Sequence, residues 1–225
     1  MPKTFVLSLG GSLIFPEDLD KKFLNDFKKI IELYVKKKYK FVIVCGGGKL
    51  ARNMQEVAAN ANNLSNEELD WIGIHATKIN AHLVNSIFDK LSNELVVSNP
   101  AEKVKFKKSV IVASGWKPGW STDYDAVLLA KNVGSRQVIN MSNVEYVYDK
   151  DPRKNNNAKK IEKLSWNDYR KMSGDKWTAG LSLPFDPIAS KEAQKSRIKV
   201  NIIGKDLNNL KNLLDGKKFK GTIIE

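Results

Sequence analysis

The stretch Phe41-Val42-Ile43-Val44-Cys45-Gly46-Gly47-Gly48-Lys49-Leu50-Ala51-Arg52 decides the fold. Its apolar run is too short for a helix, lacks polar alternation and stops at glycines just before a helical pattern over Lys49 to Asn60 begins. Such a run is a strand buried on both faces, as in parallel sheets covered by helices. The pattern recurs where Phe5 to Leu9 ends at Gly10-Gly11 and where Val110 to Ala113 ends at Ser114-Gly115. Gln137 to Met141 and Lys199 to Ile203 add two more strands, the second closed by Gly204, and Phe219 to Ile224 reads as an edge strand. Helical spacing over Leu19 to Lys37, Lys49 to Asn60, Glu67 to Leu91, Asp123 to Asn132, Trp166 to Met172, Pro187 to Ser196 and Leu207 to Leu214 supplies the covering layers. The expectation is an α/β chain: a three-layer αβα sandwich around a mostly parallel sheet, folded as one domain over residues 1–225. The asparagine-rich stretch Arg153 to Lys163 reads as an exposed loop.

Composition narrows the partners. The chain has 225 residues, with 42% hydrophobic and 28% charged, an ordinary globular balance. Lys+Arg 38 against Asp+Glu 25 gives +13, a field that favours anionic partners: nucleotides, nucleic acid or acidic membrane. The lysines are scattered rather than gathered in one tract, so a nucleic-acid module rests on net charge alone. One cysteine forbids an internal disulfide, and two histidines cannot build a zinc cluster. No run approaches the ~18 apolar residues of a membrane span. The expected location is the cytoplasm.

Glycine turns at strand carboxyl ends let backbone N–H groups approach an anion, and the helix that follows points its positive end at the same place. Three such turns occur here, yet neither G-x-x-x-x-G-K-[ST] nor G-x-G-x-x-G does. The segment from Ser114 to Asp123 holds Trp116 and Trp120 around Lys117-Pro118-Gly119. Those aromatics stack on a base while Lys117 meets a phosphate, or they tuck the loop under itself. Thr122 reads as the N-cap of the next helix, with Asp123 in its first turn. Asp186-Pro187 has a complete structural explanation as N-cap and first helical residue. His75 and His82, roughly 10.5 Å apart along a helix, are packing or surface residues, and Cys45 is a small core residue.

The order Leu9-Gly10-Gly11-Ser12, Cys45-Gly46-Gly47-Gly48-Lys49-Leu50-Ala51-Arg52, Lys117-Pro118-Gly119-Trp120-Ser121-Thr122-Asp123 and Ser142-Asn143-Val144-Glu145-Tyr146-Val147-Tyr148-Asp149-Lys150-Asp151-Pro152 resembles the uridylate kinases of the amino acid kinase superfamily, the archaeal type above all. The likeness runs from about Lys3 to Ile224. It implies transfer of the γ-phosphoryl group of MgATP to UMP, with the acceptor in the N-terminal part and ATP in the part from about residue 135. By the same likeness Gly10, Gly11 and Ser12 meet the transferring phosphate, Gly47 the acceptor, and Gly48 and Arg52 the ATP side. Asp70 and the segment Trp116, Lys117, Pro118, Gly119, Trp120, Ser121, Thr122 hold UMP. Ser142, Asn143, Tyr148 and Asp151 bind ATP, and Asp186 orients the groups that neutralise phosphate. Mg²⁺ enters with ATP, and no residue is assigned as a metal ligand.

Two positions depart from the pattern. Many relatives carry Lys where this chain has Ser8, so something must stand in for that charge: Mg²⁺, the backbone N–H groups of Gly10 and Gly11, or a lysine from elsewhere in the fold. Lys49, opening a helix after the second glycine turn, is the preferred side chain, beside its plain reading as a solvated lysine. Tyr146 occupies a position where relatives turn on Gly. Other readings are a different small-molecule kinase of the superfamily or a nucleotide sensor without turnover. The helix from Glu67 to Leu91 carries Trp71, Ile72, Ile74, Ile79, Leu83, Val84, Ile87, Phe88 and Leu91, more apolar surface than one sheet face consumes, which predicts a homo-oligomer. The resemblance suggests a hexamer.

Overall fold

The computed structural model describes residues 3–152, 154–174 and 184–225. The chain runs β1 (Thr4–Leu9), α1 (Gly11–Ile14), α2 (Lys21–Lys36), β2 (Lys40–Cys45), α3 (Gly48–Ala61), α4 (Asn66–Phe88), β3 (Val110–Ala113), α5 (Thr122–Asn132) and β4 (Gln137–Met141). There follow β5 (Val147–Tyr148), β6 (Lys160–Ile161), β7 (Lys163–Leu164), α6 (Trp166–Ser173), α7 (Pro187–Lys195), β8 (Lys199–Ile203), α8 (Leu207–Leu214) and β9 (Thr222–Ile224). Seven strands form one sheet in the order β3-β2-β1-β4-β8-β9-β7, and β5 pairs with β6 in a small separate ribbon. Strands β3, β2, β1, β4 and β8 are mutually parallel, whereas β9 runs antiparallel to β8.

Alternation along each strand builds two cores. Phe5, Leu7 and Leu9 of β1, with Phe41, Ile43 and Cys45 of β2, face Phe27, Ile31 and Tyr34 of α2 and Val84 and Phe88 of α4. The intervening Val6, Val42 and Val44 face Ala126, Leu129 and Ala130 of α5 and Ala189 and Ala193 of α7. Both faces are therefore dry, which is why these strands read as unbroken apolar runs.

Some elements differ from the sequence reading. Thr222–Ile224 is not the edge strand: β7 pairs outside it, so the edge falls at Lys163-Leu164. The stretch read as an exposed loop contributes β6 and the start of β7, although Arg153 lies outside the described residues. The long helix ends at Phe88, and residues Asp89–Leu91 form a separate 3₁₀ turn. Its start carries a capping box: the Ser65 hydroxyl accepts from the Glu68 N–H while a Glu68 carboxylate oxygen accepts from the Ser65 N–H.

Candidate active site

In an open α/β sheet, ligands bind beyond the strand carboxyl ends where the strand order reverses. Here that point lies between β1 and β4, from which the chain winds toward β2 and β3 on one side and β8 on the other. The turn after β1 and the turn after β2 interlock above it. A Cβ on Gly11 would lie 2.1 Å from the Gly48 nitrogen, and one on Gly48 would lie 2.3 Å from the Gly11 carbonyl carbon. Gly48 also holds φ +64, a left-handed conformation that glycine alone adopts freely. Gly10 donates its N–H to the Met141 carbonyl at 2.8 Å, and Gly46 donates to Leu9 at 2.9 Å, so both turns are tied to the sheet. From α4, the Asn80 amide donates to the Gly46 and Gly47 carbonyls at 2.8 and 3.2 Å. The N–H groups of Gly11, Ser12, Gly47 and Gly48 stand at helix starts, beyond the reach of their own helix carbonyls. Among the described residues none of the four has another partner. Donors left open at a strand end are what a phosphate binds.

Beside these turns sits a group of carboxyls. Ser8 on β1 and Asn140 on β4 are register neighbours. Both donate to one Asp123 oxygen, the Ser8 hydroxyl at 2.9 Å and the Asn140 amide at 2.8 Å. The Asp186 N–H donates to the other Asp123 oxygen at 3.3 Å, which locks the start of α7 to the start of α5. Enclosure, with the Asp186 charge adding to it, pushes the Asp123 carboxyl up to about 7. Asp186 is 7% exposed; one oxygen caps α7 through the Ala189 N–H at 2.7 Å, and the other has no partner. Burial raises its pKa as well. Asp125, the fourth residue of α5, is wholly buried with neither oxygen hydrogen-bonded, and burial pushes it up to about 8 against the pull of the nearby Trp116 N–H. No lysine or arginine forms a salt bridge with any of the three among the described residues.

The loop after β3 is held from α4 at two points. The Gly115 N–H donates to the Thr77 hydroxyl, and the Gly119 N–H donates to an Asp70 carboxylate oxygen, each at 2.8 Å. Asp70 thus grips the very loop it was expected to work with. The Lys117 ammonium lies 4.2 Å from the Trp116 ring centre and 5.3 Å from that of Trp120, and Trp120 packs on Tyr124 at 4.2 Å. The cap of α5 is Ser121, whose hydroxyl accepts from the Tyr124 N–H; Thr122, expected there, is the first helical residue.

Toward β4, Ser142 lies against Gly10, whose added Cβ would sit 3.3 Å from the Ser142 Cβ. Asn143 is exposed beside it, and Tyr148 stands on β5 with its ring 6.4 Å from Tyr146. Tyr146 is 6% exposed and has no positive φ, so this backbone does not need the glycine of relatives. Asp151 follows β5. Arg52 is exposed on α3, one turn beyond Gly48. Lys49 forms an ion pair with Glu17 at 3.3 Å, a contact that spends part of its charge outside the carboxyl group. His75 and His82 are exposed on α4, and Cys45 is buried with its thiol pushed up by desolvation, as expected of both. The sequence reading missed Asp125, Asn140 and the joining role of Asp123. Their signal was faint: Ser8 and Asn140 are polar residues on an otherwise apolar strand face.

The sequence model of the Amino acid kinase family matches residues 3–204. The chain belongs to the amino acid kinase family. It is 36% identical to the uridylate kinase of Thermoplasma volcanium, over 100% of this chain and 99% of that one, and 37% identical to the uridylate kinase of Pyrococcus abyssi over 98% of each. The crystal structure of uridylate kinase from Archaeoglobus fulgidus superimposes with a TM-score of 0.84 at 32% identity, covering 99% of this chain and 100% of that one. As an amino acid kinase family fold, the molecule places its interlocked glycine turns at the centre of the sheet, between the loop after β3 and the region after β4.

Proposed function

We propose that the chain transfers the γ-phosphoryl group of ATP to UMP, giving UDP and ADP. The observation that carries this reading is the pair of interlocked turns whose four open N–H groups stand next to Asp123 and Asp186. Phosphoryl transfer is mainly positioning and charge neutralisation, and fixed backbone donors supply both. Gly11 and Ser12 hold the phosphoryl in flight, Gly47 the acceptor phosphate, and Gly48 and Arg52 the ATP side. The loop from Trp116 to Thr122, with Asp70, encloses the uracil nucleotide. Ser142, Asn143, Tyr148 and Asp151 receive ATP in the part of the chain from about residue 135. Mg²⁺ suits the site chemically: the orphaned Asp186 oxygen beside Asp123 is a hard ligand for a cation that takes most of its other ligands from phosphate and water. The metal supplies neutralisation of phosphate charge; Lys49 is our choice for the side-chain cation, released from Glu17.

A coupled assay across nucleoside monophosphates tests the assignment. UMP is expected to exceed CMP and dCMP in kcat/KM by a wide margin, because a base pocket with hydrogen-bonding groups rejects an analogue that leaves them unpaired. Equal rates with CMP, or ATP binding without turnover, would replace the assignment with a broader kinase or a sensor.

Asp186→Asn separates chemistry from capping. Asn caps a helix about as well as Asp, so the melting temperature should barely move, while kcat falls by about 10² or more. Retained turnover would leave capping as its whole role.

The assembly belongs to the same proposal. Val57, Ile79, Trp71 and Met54 are 70%, 55%, 40% and 39% exposed on α3 and α4, two helices that pack on each other, and these apolar side chains are our choice for the contact between copies. A second copy covers them, within a hexamer that works in the cytoplasm. Ile79→Asp is expected to reduce the particle to smaller species in light scattering; an unchanged mass would place the interface elsewhere.

A further inference from the structure

The site uses the carboxyl end of the sheet, and the opposite end carries charge that the reaction leaves unused. There a cavity of about 990 Å³ opens between the strand starts, with Lys40, Arg136, Arg197 and Lys199 around it and Val104 and Phe106 in its wall. Lys40 opens β2 and Lys199 opens β8, while Arg136 and Arg197 stand just before β4 and β8. A second cavity of about 660 Å³ shares Thr4, Gln137 and Lys199 with the first, so the two form one trough. None of the residues assigned to phosphoryl transfer lines either.

Four cations in one hollow repel each other, and among the described residues none of these four has a salt-bridge partner. Among the described residues Glu225 is the one acidic side chain lining the first cavity; Lys163 holds it at 2.7 Å, and Lys199 also helps to lower its pKa from a greater distance. Lys40 is kept at the cavity by the Phe106 ring, whose centre is 4.9 Å from its ammonium. Helix ends explain part of the charge, since α5 and α7 finish here and a cation near a helix C-terminus is favourable. Lys40 and Lys199, on strands, have no such reason. Arg197 sits at φ +53, the left-handed position after α7, where α5 and α8 use Gly134 and Gly216. Among the described residues α2 and α4 also end on a charged residue at positive φ, Lys38 and Asp89. At that position the Arg197 guanidinium stands among the residues that line the cationic cavity.

We infer that this trough is a binding site for a small phosphorylated ligand bearing at least two phosphates, separate from the catalytic crevice. Guanidinium groups take phosphate oxygens in pairs, and lysines add point charge. A hollow of about 990 Å³ is of the size that takes a compact ligand, and the apolar wall of Val104 and Phe106 takes the ligand's body.

Inorganic tripolyphosphate is the probe. Calorimetric titration of the whole protein is expected to show a saturable site that weakens on the order of 100-fold in the double variant Arg136→Gln with Lys199→Gln, two charge-assisted contacts being lost. In the absence of tripolyphosphate that variant should phosphorylate UMP at the wild-type rate and melt near the wild-type temperature, since Arg136 is exposed, Lys199 is half-buried at the start of its strand and neither has a salt-bridge partner among the described residues. Equal affinity in the two proteins would put the phosphate in the glycine turns and overturn the inference, as would the absence of saturable binding. Tighter binding of a DNA duplex, lost in the same variant, would overturn it in favour of a nucleic-acid surface.

Discussion

Gly11→Ala is expected to reduce kcat for phosphoryl transfer by about 10³, equivalent to about 4 kcal/mol of transition-state stabilisation. The added methyl carbon would lie 2.1 Å from the Gly48 nitrogen, 2.5 Å from the Gly47 carbonyl carbon and 2.6 Å from the Gly46 oxygen. All three are backbone atoms, so no rotamer change relieves the overlap and the two turns must separate by an ångström or so. The four open N–H groups belong to these turns, and a misplacement of about 1 Å is enough to cost roughly 10² in rate even when it arises away from the chemistry. Loss of the tie between β1 and β2 should also lower the melting temperature. Gly134→Ala is the control. Nothing lies within 4 Å of its added carbon, and only φ +71 penalises it. That change should cost about 1 kcal/mol of stability and leave kcat untouched. A Gly11→Ala protein that turned over within tenfold of wild type would show that the turns part without consequence and that the phosphate is held elsewhere.

The layered fold was legible because its strands are buried on both faces and end in glycine. β3, β4 and β8 match the expected boundaries, and β1 and β2 start one residue early. β7 left no mark, since two residues carry no period and Lys163-Leu164 has no apolar run to announce it. The end of the chain was consequently read as an edge. Glycine turns were legible as anion sites, but their interlocking was not, because it depends on the parallel pairing of β1 with β2 in a register that brings Leu9 opposite Cys45. The acidic residues divide in the same way. Asp186 followed by proline announces a cap, and the structure makes it one. Asp123 and Asp125 look alike in sequence, two acids in a first helical turn, where the macrodipole alone would account for them. Only the packing of α5 on β1 and β4 shows that one joins two strands and a helix while the other lies among Ala126, Val127 and Leu129 with nothing to bond.

That buried carboxyl has a thermodynamic consequence which can be measured without substrate. In the folded chain Asp125 is pushed up to about 8, first by burial and then by the Asp123 charge, whereas an unfolded aspartate titrates near 4. Between these values the folded state holds a proton that the unfolded state has released. The unfolded state therefore binds fewer protons, and stability must fall as pH rises. The contribution is complete below about pH 4, the unfolded value, and is lost by the time pH has passed the folded value of about 8. At about 1.4 kcal/mol per pH unit, that window amounts to on the order of 5 kcal/mol, a large part of the stability of an ordinary domain. Asp123, pushed up to about 7, acts in the same direction over a shorter range. Several exposed carboxylates are lowered and act oppositely at acid pH, Asp26 by Lys29 and Lys22 and Asp215 by the Tyr34 hydroxyl and then Lys37, so the wild-type curve alone does not isolate the effect. The difference from Asp125→Asn does. Asn keeps the size but cannot ionise, so the variant should gain on wild type by about one proton's slope per pH unit from about pH 5 to about pH 8. Urea unfolding at half-unit steps through that range reads the difference directly. Parallel curves for the two proteins would mean that Asp125 is ionised and solvated in the folded state, contrary to its burial.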